Sequence, residues 1–313
     1  MYYRSQVFAV NTKKSYKSFQ SSYCKFCIHM GYKPVPISSV NLCRYVAHIA
    51  QRLSVNSIPR YLSVIKLLHL ELGYQDPLKD NWLLQSLLKG IKRHKGSATH
   101  QKLPITPFIL SQIYTQLNFI SPSDVVFWGI CLTMFFGFFR KANVLPQSFD
   151  PSIHLRRMDF KLFGWGLLVK VRHSKTIQFQ DRILEVPLVK IPNSTLCPVK
   201  ALLHVFLLTH NSPSMGPVFT LPQKGFFVPF QPRHFVSKLK TILQSLGYPS
   251  NSYSGHSFRR GAATWALSVG VPSDLIQLLG DWKSESYKSY LGLNINQKVG
   301  LVKQYYSHKN LLL

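Results

Sequence analysis

Apolar residues recur every three to four positions along most of this chain, a period that predicts helix. In the first part, Tyr16, Phe19, Tyr23, Phe26 and Cys27 stand at helical spacing behind Asn11 and Thr12, which offer a cap. A second helix is expected after Ser38 and Ser39, with Val40, Cys43, Val46, Ala47 and Ala50 on one face. A third follows Asn56 and Ser57, carries Ile58, Tyr61, Leu62, Ile65, Leu68 and Leu72, and stops at Gly73. A fourth covers Trp82 to Lys92, with Leu83, Leu87 and Ile91 apolar. The period then vanishes. Lys92 to Lys102 (KRHKGSATHQK) is basic and polar, and Pro104 and Pro107 follow, which marks an interdomain linker.

Beyond the linker the pattern is mixed. Helices are expected at 107–118 and 124–139. Alternating Leu- and Val-rich stretches around 155–163, 166–172 and 182–190 read as strands, separated by Gly164 or polar turns. Helices resume near 198–210, 231–246, 256–270 and 272–279. The expected fold is therefore mainly α with a small antiparallel β-sheet, an α+β class. It is divided into a helical domain over 1–95, a basic linker over 96–106 and a larger domain over 107–313. The most apolar run, Val125 to Phe139 (VVFWGICLTMFFGFF), has fifteen residues. A membrane span needs about twenty, so a buried core helix is expected and no membrane partner.

Charge narrows the function. Lys and Arg number 38 against 11 Asp and Glu, a formal net charge of +27 spread along all 313 residues. A folded chain so charged attracts a polyanion, and double-stranded DNA is the leading candidate partner. Metal-dependent nucleases hold Mg²⁺ with converging carboxylates. Here the acids are scattered, the nearest pair being Asp150 with Asp159, which argues against that chemistry. Five cysteines, an odd number, suit a reducing compartment. Cys24 and Cys27, with Cys43 and His48 beyond, could sketch a zinc site. They lie on an amphipathic helix with no second CxxC, however, and core packing is the better account. No secretory signal stands at Met1, so the nucleus, in a eukaryote, or otherwise the cytoplasm is expected.

The chemistry concentrates in Gly255 to Leu291 (GHSFRRGAATWALSVGVPSDLIQLLGDWKSESYKSYL). His256 and Arg259 share a helix face at i, i+3, in a first turn where the helix N-terminus itself favours an anion. Behind them Ala262, Ala263, Trp265, Ala266 and Val269 pack inward. Gly270-Val271-Pro272 breaks the helix, a short apolar helix follows, and Gly280, Asp281 and Trp282 turn the chain eight residues before Tyr290. This layout resembles the catalytic region of the tyrosine recombinases, or phage integrases. The closest resemblance is to the Crypton and DIRS/Ngaro-like recombinases of eukaryotic mobile elements, which similarly carry HSFRRG, a Gly-x-Trp and a final Tyr. Two further cations are implied upstream. Arg140 ends an apolar helix in FFGFFRKANVLP, and Lys175 stands before Val186-Pro187 in VRHSKTIQFQDRILEVPL. Arg172 and His173 are its near alternatives.

The resemblance implies an N-terminal SAM-like core-binding domain that clamps DNA, and an integrase-like catalytic domain. It implies a site-specific recombinase that cuts and rejoins DNA through a 3′-phosphotyrosyl link, using neither metal nor other cofactor. Its catalytic residues would be Arg140, Lys175, His256, Arg259, Trp282 and the nucleophile Tyr290, and its working assembly a homo-oligomer, a tetramer on two duplexes. There are departures. Asn143 stands where the family usually has an acid, and Trp282 replaces a frequent histidine. The Trp–Tyr interval is one residue shorter than in many bacterial members, which makes Tyr287 a rival nucleophile, with Tyr305 and Tyr306 behind it. A DNA-binding protein that kept the fold and lost strand exchange is the alternative, and a type IB topoisomerase-like enzyme the third reading.

Overall fold

The computed structural model describes residues 7–96, 101–174, 176–177, 182–290 and 299; the side chains of residues 10, 11, 286, 289 and 290 lie outside that description. The chain forms two compact units, Met1–His100 and Gln101–Leu313.

Among the described residues the first unit holds four α-helices: α1 (Val10–Met30), α2 (Ser39–Ala50), α3 (Ile58–Glu71) and α4 (Trp82–Lys95). Ser38 caps α2 by accepting the N–H of Asn41, and Asn81 caps α4 by accepting that of Leu84. Tyr23, Phe26, Leu42, Tyr45, Val46, Ile49, Ile58, Leu62, Ile65 and Leu84 form the core. On α2 this corrects the expected face. Val40 is exposed, and the helix buries Leu42, Tyr45 and Ile49 together with Val46 and Ala50 of the expected face. Both stripes are apolar at helical spacing, and the one with the larger side chains removes more area from water. His69 is buried between two backbone groups. Its Nδ1 donates to the Ile65 carbonyl at 2.8 Å, and its Nε2 accepts the Ile37 N–H at 3.0 Å. Cys27 is buried in this core with Cys24 and Cys43 beside it. Among the described residues no cluster of three or more His, Cys, Asp or Glu is placed to hold a metal ion.

The second unit begins with α5 (Pro107–Thr115), α6 (Pro122–Phe136) and the single turn α7 (Lys141–Val144). The run that looked most apolar in sequence is α6, buried continuously from Val125 to Phe135 and packed against α8 (Pro198–Leu208) and α10 (Gly255–Ser268). No described helix is long and apolar enough to cross a membrane. Strands β1 (Phe160–Phe163), β2 (Gly166–Val171) and β3 (Leu184–Val189) make an antiparallel sheet in that order, with Val169 opposite both Phe160 and Val186. The first strand starts later than expected. Asp159 accepts the Arg156 N–H at 2.8 Å and closes a 3₁₀ turn over Arg157–Asp159 instead. A second hairpin, β4 (Thr220–Gln223) with β5 (Phe226–Pro229), was not anticipated. Its strands are four residues long, carry Pro222 and Pro229, and turn through Lys224 and Gly225, both at positive φ. The unit also holds α9 (Pro232–Ser245), α11 (Ser273–Leu279) and a 3₁₀ turn over Glu285–Tyr290.

The segment read as linker is in part core. The Leu103 N–H donates to Ser252 and the Ile105 N–H to Ser257, at 2.8 and 3.0 Å, and the Ile105 side chain is fully buried. At this crossing a Cβ on Gly261 would lie 1.7 Å from the Ile105 carbonyl oxygen. Only glycine lets α10 accept the incoming strand-like segment.

Candidate active site

Arg140 owes its place to the way α6 ends. Gly137 closes the helix and Phe138 follows at φ 51, a left-handed conformation uncommon for a bulky residue. The chain thereby turns, and Arg140 becomes the N-cap of α7. The Phe138 ring stays buried and meets Trp282 edge-on, 6.2 Å between centroids.

The N-terminus of α10 is capped reciprocally. Ser254 Oγ accepts from His256 N at 3.3 Å, and Ser257 Oγ accepts from Ser254 N at 3.0 Å. His256, in the first turn, is exposed. Arg259, one turn on, is 3% exposed and donates one terminal nitrogen to the Phe138 carbonyl and the other to the Gly280 carbonyl. Its guanidinium carbon lies 3.9 Å from the Trp282 ring centroid, a cation–π contact made almost without water. A guanidinium has five N–H donors, more than two carbonyls can take, so anchoring and phosphate binding are compatible.

Trp282 is itself held by the turn before it. A Cβ on Gly280 would lie 1.5 Å from the Trp282 ring, so the indole can fold back only over glycine. Arg140, Asn143, Ser174, Arg259, Gly280 and Asp281 line one small hollow. The structure thus brings Arg140 and Arg259 together, with Trp282 against the second. His256 stands at the exposed start of the same helix.

Lys175 lies outside the described residues, but its flanks are defined. Ser174 and Ile177 exchange backbone hydrogen bonds at 3.3 and 3.2 Å. Arg172, the nearby alternative, is committed elsewhere. It donates to the carbonyls of Pro151, Ser152 and His154 and to Asp159, at 2.8 to 3.2 Å. Burial pushes the Asp159 carboxyl up, but hydrogen bonds from Arg156 and Arg172 outweigh it and hold the group below the usual carboxylate range. Arg172 is therefore a clamp on the loop before β1.

The backbone of Tyr290 closes the Glu285–Tyr290 turn, and its side chain lies outside the described residues. Tyr287 is 4% exposed and packs in the core against Trp282, 6.1 Å between centroids. A phosphate cannot reach it without unpacking the turn. Tyr305 and Tyr306 lie outside the described residues. One residue that sequence reasoning passed over is Asp281, which accepts hydrogen bonds from Thr176 Oγ1 and from Arg182. The available signal was an acid beside Trp282 in a chain with only 11 acids.

No protein-family model matches the chain. A curated relative, the integrase/recombinase xerD homolog of Selenomonas ruminantium, is 24% identical over 289 residues, covering 88% of this chain and 80% of the relative. Among solved structures, the Tn1549 transposon integrase in complex with transposon right end DNA superposes with a TM-score of 0.61 at 11% identity, over 96% of this chain and 95% of that one. The XerH site-specific recombinase bound to a palindromic difH substrate has a TM-score of 0.61 at 14% identity, over 87% of this chain and 73% of that one. A lambda integrase dimer bound to a core site has a TM-score of 0.51 at 13% identity, over 92% and 91%. The helical unit followed by the mixed unit with its three-stranded sheet is the fold these solved structures share. The chain is thus similar in sequence to one integrase/recombinase and in fold to solved recombinases and integrases.

Proposed function

We propose that this protein is a site-specific DNA recombinase, or integrase, with Tyr290 as nucleophile. The observation that carries the reading is the shared hollow. Arg140 and Arg259 come from elements 119 residues apart in sequence and meet beside the Gly280-Asp281-Trp282 turn, eight residues before Tyr290. Two arginines lining one hollow suit a pentacoordinate phosphorus, whose developing charge guanidiniums neutralise through planar hydrogen bonds.

In this reading the Tyr290 phenol attacks phosphorus. The P–Oη bond forms and the bond from phosphorus to the 5′ oxygen breaks. His256 takes the phenol proton, Lys175 delivers a proton to the departing 5′ oxygen, and Trp282 holds Arg259 and lends its indole N–H. Bond energy is kept in the 3′-phosphotyrosyl link, so no metal or nucleotide is consumed, and a second 5′-hydroxyl reverses the step on another strand. The first unit serves as a core-binding clamp on duplex DNA, and four protomers on two duplexes form the working assembly. HSFRRG and the Gly280-Asp281-Trp282 turn favour a eukaryotic mobile element as the source, and so nuclear action.

The test uses a nicked duplex carrying the sequence this protein selects from a random pool of duplex DNA. Cleavage there lets the short 5′-hydroxyl strand diffuse away and traps the intermediate. The expected result is a covalent adduct that survives denaturant and EDTA, is retained by Tyr287→Phe and disappears in Tyr290→Phe. Specific binding with no adduct would instead support a silent DNA-binding descendant.

A further inference from the structure

We infer that Asp281 is a positioning residue for proton delivery to the leaving strand. It would act as a latch tying the β2–β3 connection to the turn that carries Trp282. The inference rests on the proposed role of Lys175 and goes beyond it.

Three observations support it. First, the Asp281 carboxylate is shared between the two sides of that connection. One oxygen accepts the Thr176 hydroxyl and the other accepts from Arg182, with Asp281 10% and Arg182 42% exposed. Second, Thr176 is fixed at its base. Its hydroxyl also lies 2.8 Å from Ser174 Oγ, and Ser174 and Ile177, 6% and 0% exposed, close the chain on either side through their backbone bonds. Lys175 falls between Ser174 and Thr176 in the sequence. Third, Asp281 is rigidly placed. It sits at φ 50 between Gly280, whose carbonyl holds Arg259, and Trp282, whose ring covers the same guanidinium. Asp tolerates this left-handed geometry better than most residues. One carboxylate therefore connects the anchor of the phosphate-binding Arg259 with the segment bearing the proton donor. A displacement of about 1 Å between such groups can cost roughly a hundredfold in rate.

The distinguishing property of an acid catalyst is that a better leaving group makes it unnecessary. The experiment compares single-turnover cleavage of two nicked duplexes of the selected sequence. One has the natural 5′ oxygen at the scissile bond and the other a 5′ sulfur, which departs without a proton. Lys175→Ala should be slow on oxygen and near wild type on sulfur. Asp281→Asn should lose roughly 10- to 100-fold on oxygen and recover on sulfur. Thr176→Val with Arg182→Gln, which removes the same contacts from the other side, should behave alike. If Lys175→Ala is not recovered by sulfur, the proton-donor reading fails and the latch with it. If Lys175→Ala recovers but Asp281→Asn and the Thr176/Arg182 variant are equally slow on both duplexes, or unimpaired on oxygen, the latch alone is overturned.

Discussion

Arg172 and Arg259 illustrate how differently two arginines in one basic chain are used. Arg172 spends its fork on three carbonyls and Asp159, and with Arg156 it keeps that buried carboxylate ionised. A carboxyl whose folded pKa is depressed contributes stability above its unfolded value of about 3.9, and loses it as pH falls through the lower folded value. Asp159→Asn should therefore destabilise the second unit by about 2–3 kcal/mol at pH 7, because two cations keep their places without their anion. The same variant should unfold with a flatter dependence on pH between roughly 5 and 2. Thermal melts across that range check both; an unchanged acid limb would remove Asp159 as the titrating group. At this scale the candidate residues were picked out by residue order, and the hollow gathers two of them, Arg140 and Arg259. His256, Arg259, Trp282 and Tyr290 fall in one stretch, and Arg140 is marked by the apolar run before it. Asp281 was not legible, because its partners Thr176 and Arg182 lie about a hundred residues away and no local period marks them.

Among the elements, α10 is constrained both at its start and at its middle. Its N-terminal turn holds His256 and Arg259, and its middle is crossed by the segment around Ile105 at Gly261. Gly261→Ala should force the crossing apart at a backbone oxygen that has no rotamer to change. The cost is about 3 kcal/mol or more, a fall of roughly 6–12 °C in melting temperature for a unit of this size. Differential scanning calorimetry of the full chain measures it. The transition of the first unit should be unaffected. α6 was readable in advance because it is apolar all round and buried continuously. On α10, Ala262, Ala263 and Ala266 pack inward as expected, but Trp265 and Val269 are exposed, since among the described residues no partner layer lies over that side of the far end of the helix. Where two stripes compete, as on α2, periodicity could not choose between Val40 and Leu42, since side-chain volume and tertiary partners decide. The β4–β5 hairpin escaped because four-residue strands interrupted by proline carry too little alternation to stand out.

At the scale of the molecule, the net charge of +27 sets the terms of the proposed DNA association. A protein that displaces counterions from many phosphates binds with an affinity that falls steeply with salt. For 6–10 phosphate contacts the expected loss is about 10³ to 10⁵ between 50 and 200 mM salt. Fluorescence anisotropy on the selected duplex reads it directly, and a nearly flat response would mean that the positive surface is not what holds the DNA.

The burial of Arg259 has a consequence for descendants of this gene. Its side chain bolts the end of α6 to the Gly280 turn, so under the proposed function a lineage abandoning strand exchange is free to discard the tyrosine long before it can discard this arginine. Copies retired from recombination and kept as DNA binders should be recognisable by a substituted Tyr290 beside an intact Arg259 and Trp282.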